Sequence, residues 1–257
     1  MHQRLLYENG QRLSFAEYGD QQGYPLLVQH GLIASIRDCN LFHRLIASGV
    51  RVISVARPGY GDSSPYGLRD MAEWGDLVSA LVAELQLMQF DLLGISSGAP
   101  YSYAIGYKLP EKVRHIFILS GTPALYDDRI VSLWPYPIDT SASLAELQQL
   151  AHDLFFAHLS AADALRPDIA DSRMNHCFGI AQDFRLRCND WGFRLADVKP
   201  FVHMRHSRDD DHVPFHTAEI TAQLLPNCRF DARGRGGHFS EALADNFFET
   251  ILTEYYA

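Results

Sequence analysis

The sequence predicts an α/β fold, a mostly parallel sheet with helices on both faces. Three observations predict it. Short apolar runs alternate with amphipathic helical stretches through the first 121 residues, the same rhythm resumes at Phe201, and a Gly-x-Ser-x-Gly pentapeptide stands at one of the strand-to-helix junctions. The chain has 257 residues, enough to bury a large core as one unit without disulfide or metal staples.

The elements follow in order. Residues 3–7 and 12–18 read as two strands joined at Asn9-Gly10, a strong hairpin signal. Pro25 to Gln29 is a short apolar strand ending at His30-Gly31. Residues 38–48 have helical character and stop at Gly49. Arg51 to Ala56 is a buried strand, followed by the loop Arg57-Pro58-Gly59-Tyr60-Gly61. Across residues 70–87, Trp74, Leu77, Val78, Leu81, Val82 and Leu85 recur every three or four positions, which marks an amphipathic helix. Phe90 to Leu93 is a strand, 97–108 a helix and Val113 to Ser120 a strand. At about Gly121 the rhythm breaks. A Pro-rich loop, Trp134-Pro135-Tyr136-Pro137, is followed by helical stretches with no strand pattern up to Lys199. A strand at Phe201–Arg205, a helix at 216–224, a strand at Cys228–Ala232 and a helix at about 240–255 close the chain. The domain expectation is a core of 1–121 and 200–257 with a helical insertion at 122–199.

Bulk properties narrow the function. Net charge is −9, with 47% hydrophobic and 21% charged residues, which argues against general affinity for nucleic acid or anionic membranes and leaves a small-molecule substrate as the expected partner. The four cysteines, Cys39, Cys177, Cys188 and Cys228, form no C-x-x-C pair and are expected to be reduced. The N-terminus lacks a signal-peptide stretch, and no run of about 18 apolar residues exists to span a membrane. A cytoplasmic, soluble protein is expected, as monomer or homodimer.

The chemistry-bearing residues lie at strand ends. In Gly94-Ile95-Ser96-Ser97-Gly98, Ser96 sits directly after an apolar strand and before a helix, where a sharp turn lifts its hydroxyl above the sheet. A serine hydroxyl needs a base, and the base needs an orienting acid. Of 12 histidines, His238 in Gly236-Gly237-His238-Phe239 follows the last strand, at the same sheet edge as Ser96. The acid belongs in the loop after strand 201–205. Asp210 is chosen over Asp209 and Asp211 for its D-x-x-V-P spacing to Val213-Pro214, and its neighbours are read as solvated loop charges. Acyl transfer also needs fixed N–H donors for the developing oxyanion. Those of Ser97, after the nucleophile, and Leu32, in the loop His30-Gly31-Leu32, are assigned. His30 is read as a histidine that hydrogen-bonds loop backbone. His203, His206, Asp209, Asp210, Asp211 and His212 alternate along a strand and loop, so no metal site is expected there, and no cofactor is implied.

Together, His30-Gly31, Arg57-Pro58-Gly59-Tyr60-Gly61, Gly94-Ile95-Ser96-Ser97-Gly98, Asp210-x-x-Val213-Pro214 and Gly237-His238-Phe239 resemble the α/β-hydrolase superfamily, in its order and over most of the chain. Trp191-Gly192-Phe193 with Leu195-Ala196-Asp197 resembles a bacterial branch of unsettled substrate. The resemblance implies an eight-stranded sheet with a helical cap inserted after strand six. The chain departs from the pattern at Ser207, where a glycine is usual three residues before the acid, and at Ala99-Pro100 after the elbow, where a second glycine is common. The expected activity is carboxylesterase-like: hydrolysis of a small or medium ester, thioester or lactone through an acyl-enzyme on Ser96. Carbon–carbon bond hydrolysis, aminopeptidase action, or a small-molecule receptor with little turnover are the alternatives. Haloalkane and epoxide chemistry is disfavoured because it needs a carboxylate at position 96. Trp134, Tyr136, Phe155, Phe156, Phe178, Phe184, Trp191 and Phe193 give the insertion an apolar character suited to an acyl or aromatic group.

Overall fold

The computed structural model describes residues 2–8, 10–137 and 139–256. Eight strands form one sheet in the order β1-β2-β4-β3-β5-β6-β7-β8. They are β1 (His2–Glu8), β2 (Gln11–Tyr18), β3 (Pro25–Gln29), β4 (Arg51–Val55), β5 (Phe90–Ile95), β6 (Val113–Leu119), β7 (Phe201–Ser207) and β8 (Cys228–Arg233). β2 pairs antiparallel with β1 and β4, and every other pairing is parallel. The β1–β2 hairpin is present where the sequence puts it, although Asn9 of its turn lies outside the described residues.

The helices are α1 (His43–Ala47), α2 (Met71–Glu84), α3 (Ala99–Lys108), α4 (Asp128–Val131), α5 (Leu144–Phe155), α6 (Pro167–Ser172), α7 (Met174–Arg187), α8 (Phe215–Gln223) and α9 (Glu241–Tyr255). The stretch expected to be one helix over 38–48 is shorter, a 3-10 turn at Asn40–Phe42 followed by α1. α2 begins at an N-cap: the Asp70 carboxylate accepts the Glu73 N–H at 2.9 Å. Its apolar stripe buries Trp74, Val78, Leu81 and Val82.

Two apolar layers sandwich the sheet. On one face Phe15, Leu27, Ile53, Leu92 and Ile116 pack under α2, α3 and α8. On the other, Val28, Val52, Leu93, Phe117 and Leu119 pack under α1 and α9. The central strands are buried on both faces, as helix-covered parallel sheets require, and so read as largely apolar runs: all six residues of β5 are buried, Asp91 being the one charged residue among them.

Between β6 and β7 the described residues of 122–199 contain helices α4 to α7 and no strand. α7 begins irregularly. Asn175, His176 and Cys177 have left-handed φ of 52°, 56° and 61°, held by the Gln148 amide, which donates to the carbonyls of Asn175 and His176 at 3.0 Å. No helix among the described residues is long and apolar enough to cross a membrane.

Candidate active site

Ser96 stands between β5 and α3 with φ of 51°, a left-handed conformation that a non-glycine residue adopts only when its surroundings enforce it. The flanking glycines make the turn possible by close approach. A Cβ on Gly98 would lie 2.0 Å from the Gln29 carbonyl oxygen, and one on Gly94 would lie 2.5 Å from Ser102 Oγ. Strand, elbow and helix therefore pack too tightly for any side chain at either position.

His238 and Asp210 converge on Ser96. His238 Nε2 lies 2.9 Å from Ser96 Oγ, and His238 Nδ1 lies 3.1 and 3.0 Å from the two oxygens of Asp210. A carboxylate only accepts, so Nδ1 carries the proton and Nε2 offers its lone pair to the serine hydroxyl. Asp210 is buried, and three further donors meet it. The backbone N–H groups of His212 and Val213 donate at 2.9 and 2.8 Å, and His206 Nε2 approaches at 3.1 Å. Burial pushes the Asp210 carboxyl up, but hydrogen bonds from His206, His238 and the Val213 N–H outweigh it and hold the group far below the usual carboxylate range. His206 is fully buried, and its Nε2 also contacts the Val213 carbonyl at 2.9 Å, so that nitrogen carries the proton. In the sequence His206 stood out only as a member of the strand-and-loop cluster, with no role at the acid. Asp209 is exposed, as a solvated loop charge should be, and it also accepts the Gly237 N–H at 3.0 Å, fastening the loop that carries His238. Asp211 is exposed and contacts His212 Nδ1 at 2.8 Å.

Leu32 and Ser97 line the same cavity as Ser96 and His238. A Cβ on Gly31 would lie 3.8 Å from Ser96 Cβ, so the His30–Leu32 backbone runs close beside the nucleophile. The loop is fixed from behind by a buried cluster. Arg57 donates to the carbonyls of His30 and Gly31 at 2.5 and 2.9 Å, and the single proton of the Tyr60 hydroxyl is shared between the Leu32 carbonyl and Asp183, each at 2.9 Å. Asp183 of α7 closes the cluster, accepting from Arg57 Nη2 at 2.7 Å, Tyr60 at 2.9 Å and Tyr101 at 2.5 Å. With its carbonyls held this way, the loop keeps its amide planes in place without the substrate. Burial and the Arg57 charge push His30 well below its ordinary value, outweighing the bond to Gly31. It is neutral: Nδ1 meets the Gly31 carbonyl at 2.8 Å and Nε2 accepts the Arg57 N–H at 3.2 Å. Asp183 carried no sequence signal, because its partners are 126, 123 and 82 residues away.

The two departures from the family pattern are accommodated. The Ser207 hydroxyl fills the space where a Cβ on Gly236 would come within 2.6 Å. Pro100 occupies the first turn of α3, where its missing N–H costs nothing.

The cavity above Ser96 has a volume of about 1110 Å³. Of the insertion's aromatic residues, Trp134, Tyr136, Phe155 and Phe184 line it. Phe156, Phe178, Trp191 and Phe193 are instead buried in the protein's own packing. Asp210, His212 and His238 lie close enough to share an ion, as do His115, His203 and Glu254, so the strand-and-loop cluster divides: His203 faces away from Asp210 toward β6 and α9. In the first group, one nitrogen of His238 already faces Asp210 and the other faces Ser96.

A model of the alpha/beta hydrolase family matches residues 26–248. A 2-hydroxymuconate semialdehyde hydrolase of Pseudomonas sp. (strain CF600) is 23% identical over 262 residues, covering 91% of this chain and 87% of that protein. A pimeloyl-[acyl-carrier protein] methyl ester esterase of Aromatoleum aromaticum is 25% identical over 210 residues, covering 75% and 82%. Among solved structures, an esterase from Exiguobacterium antarcticum superposes with a TM-score of 0.75 at 19% identity over 100% of both chains.

Proposed function

This chain belongs to the alpha/beta hydrolase family, and from that premise we propose that it is a serine hydrolase that cleaves a small or medium carboxylic ester through an acyl-enzyme on Ser96. The observation that carries the reading is the continuous hydrogen-bonded line from Ser96 Oγ through His238 to Asp210. Ser96 Oγ attacks the ester carbonyl, and His238 Nε2 takes its proton. The carbonyl oxygen, now an anion, is received by the backbone N–H groups of Leu32 and Ser97. The same histidine protonates the departing alkoxide. Water then enters, gives a proton to His238 and releases the acid and Ser96. Asp210 holds the imidazole in the required tautomer and offsets its transient positive charge.

The segment 122–199 acts as the cap. It carries Trp134, Tyr136, Phe155 and Phe184 into the cavity wall, and an apolar wall suits an acyl or aromatic group. Hydrolysis of a carbon–carbon bond next to a carbonyl is the second reading. It is favoured by the semialdehyde hydrolase that matches 91% of the chain and would use the same nucleophile, base and acid. The cell interior is the proposed location, and a small molecule the partner.

Turnover of p-nitrophenyl esters of increasing acyl length tests the proposal. The wild type hydrolyses them, and Ser96→Ala lowers kcat by about 10³-fold or more while the protein stays folded. An Ser96→Ala variant that kept most of its turnover would remove the nucleophile. Absence of ester turnover, together with hydrolysis of 2-hydroxymuconate semialdehyde, would favour the second reading.

A further inference from the structure

Arg187, the last residue of α7, lines the cavity that holds Ser96 and His238. The residue is 8% exposed, and its buried Nε faces no hydrogen-bond acceptor. Its surroundings are the ring faces of Phe184 and Trp134, at 4.7 and 5.7 Å from the guanidinium carbon, and the thiol of Cys188. Burial pushes that thiol up, so it supplies no negative charge. Among the described residues no carboxylate pairs with Arg187.

The nearest candidate anion is already engaged. Asp183, one helical turn earlier, is taken by Arg57, Tyr60 and Tyr101. Arg57 and Asp183 cancel, which leaves Arg187 as a surplus buried positive charge. Of the other charged groups at the cavity, Arg166 and Asp168 pair with each other at 2.7 Å, and Asp38 is exposed. Asp210 is held by its own donors. The adjoining Trp134 is in the same condition as Arg187: its indole N–H is buried, lacks an acceptor and belongs to the same cavity wall. A buried guanidinium without an anion is costly, and two orphaned donors side by side raise the cost. A bound anion with several acceptor oxygens removes it.

We propose that Arg187, with the Trp134 indole beside it, is a carboxylate-binding subsite, and that the substrate is an ester or ketone bearing a carboxylate at the end remote from the scissile bond. This deepens the serine-hydrolase reading and rests on it for the reaction, but not for the binding. The apolar cavity between the two ends takes the linking carbon chain. Carboxylate and guanidinium pair through two N–H···O bonds, a geometry that lysine does not reproduce.

The test compares p-nitrophenyl monoesters of succinate, glutarate and adipate with their neutral counterparts, such as p-nitrophenyl pentanoate for glutarate. The readout is the ratio of kcat/KM between each acidic ester and its neutral match. In Arg187→Gln that ratio falls at least 30-fold for the best acidic ester, and Arg187→Lys recovers only part of it. A folded Arg187→Gln protein whose ratios all stay within threefold of wild type overturns the subsite. Free glutarate and adipate provide the check that needs no variant and no turnover. They raise the wild-type Tm, and pentanol at equal concentration does not. Should the wild type bind neither dicarboxylate up to 50 mM, the proposal fails even with the hydrolase reading intact. Binding without hydrolysis of any ester would leave the subsite standing and sink the hydrolase reading.

Discussion

Asp210 receives four donors, two from backbone and two from histidines, in a buried setting. Its charge is therefore fixed before substrate arrives, and Asp210→Asn reverses the tautomer logic at His238. That change lowers kcat by about 10³- to 10⁴-fold and also lowers Tm, because the hydrogen bonds that hold the carboxylate ionised contribute to native stability. Steady-state kinetics on the protein that stays folded, alongside thermal melting, measures both. His30 gives a different residue-level prediction. Its folded-state value lies below the ordinary one, so the native protein binds fewer protons there than the unfolded chain. Stability from this group is complete above the ordinary histidine value of about 6.5 and falls as pH drops below it. His203, also pushed down by burial, adds to the wild-type slope, so the difference between wild type and His30→Gln isolates His30. Urea unfolding at pH 7.5, 6.5 and 5.5 measures it. The variant's stability falls less steeply toward pH 5.5 than the wild type's, and an identical slope would contradict the lowered value of His30. The sequence marked Ser96, His238 and Asp210 because each stands at a fixed offset from a strand end. It could not mark His206, whose role depends on the Asp210 loop folding back over its own strand, nor Arg187, whose meaning lies in the lack of a partner.

At the scale of elements, the elbow between β5 and α3 is the most constrained junction. Gly98→Ala drives a methyl group into the Gln29 carbonyl, a backbone atom of β3 that cannot step aside. The expected outcome is a loss of several kcal/mol or failure to fold. Gly67→Ala, where a Cβ meets nothing within 4 Å, stays within about 1 kcal/mol. Chemical denaturation of both proteins checks the contrast, and equal stabilities would contradict the packing account. These strands were legible in the sequence because burial on both faces leaves largely apolar runs between loops. The helix α1 was less so. Five residues between a 3-10 turn and Gly49 are too few for a periodic pattern to give its start.

At the scale of the whole molecule, a buried ion pair is among the contacts that tie the insertion to the sheet. Arg57 follows β4 and Asp183 lies on α7, and both are almost wholly buried. Asp183→Asn leaves a buried guanidinium without its anion, at a cost of about 3–5 kcal/mol. It also frees the carbonyls of His30, Gly31 and Leu32 to shift, so kcat falls more than KM changes. A Tm unchanged from wild type would mean that the cluster holds nothing. The break in strand rhythm at Gly121 made the insertion visible from sequence, but its attachment was not, since each partner of Asp183 is distant along the chain. The account rests finally on the hydroxyl of Ser96 being the group that attacks. Peptide mapping by mass spectrometry after treatment with a fluorophosphonate tests that most directly. The account predicts a single adduct on Ser96, formed far more slowly in a folded His238→Gln variant. An adduct on Ser97 or another residue, or a rate indifferent to His238, would contradict it.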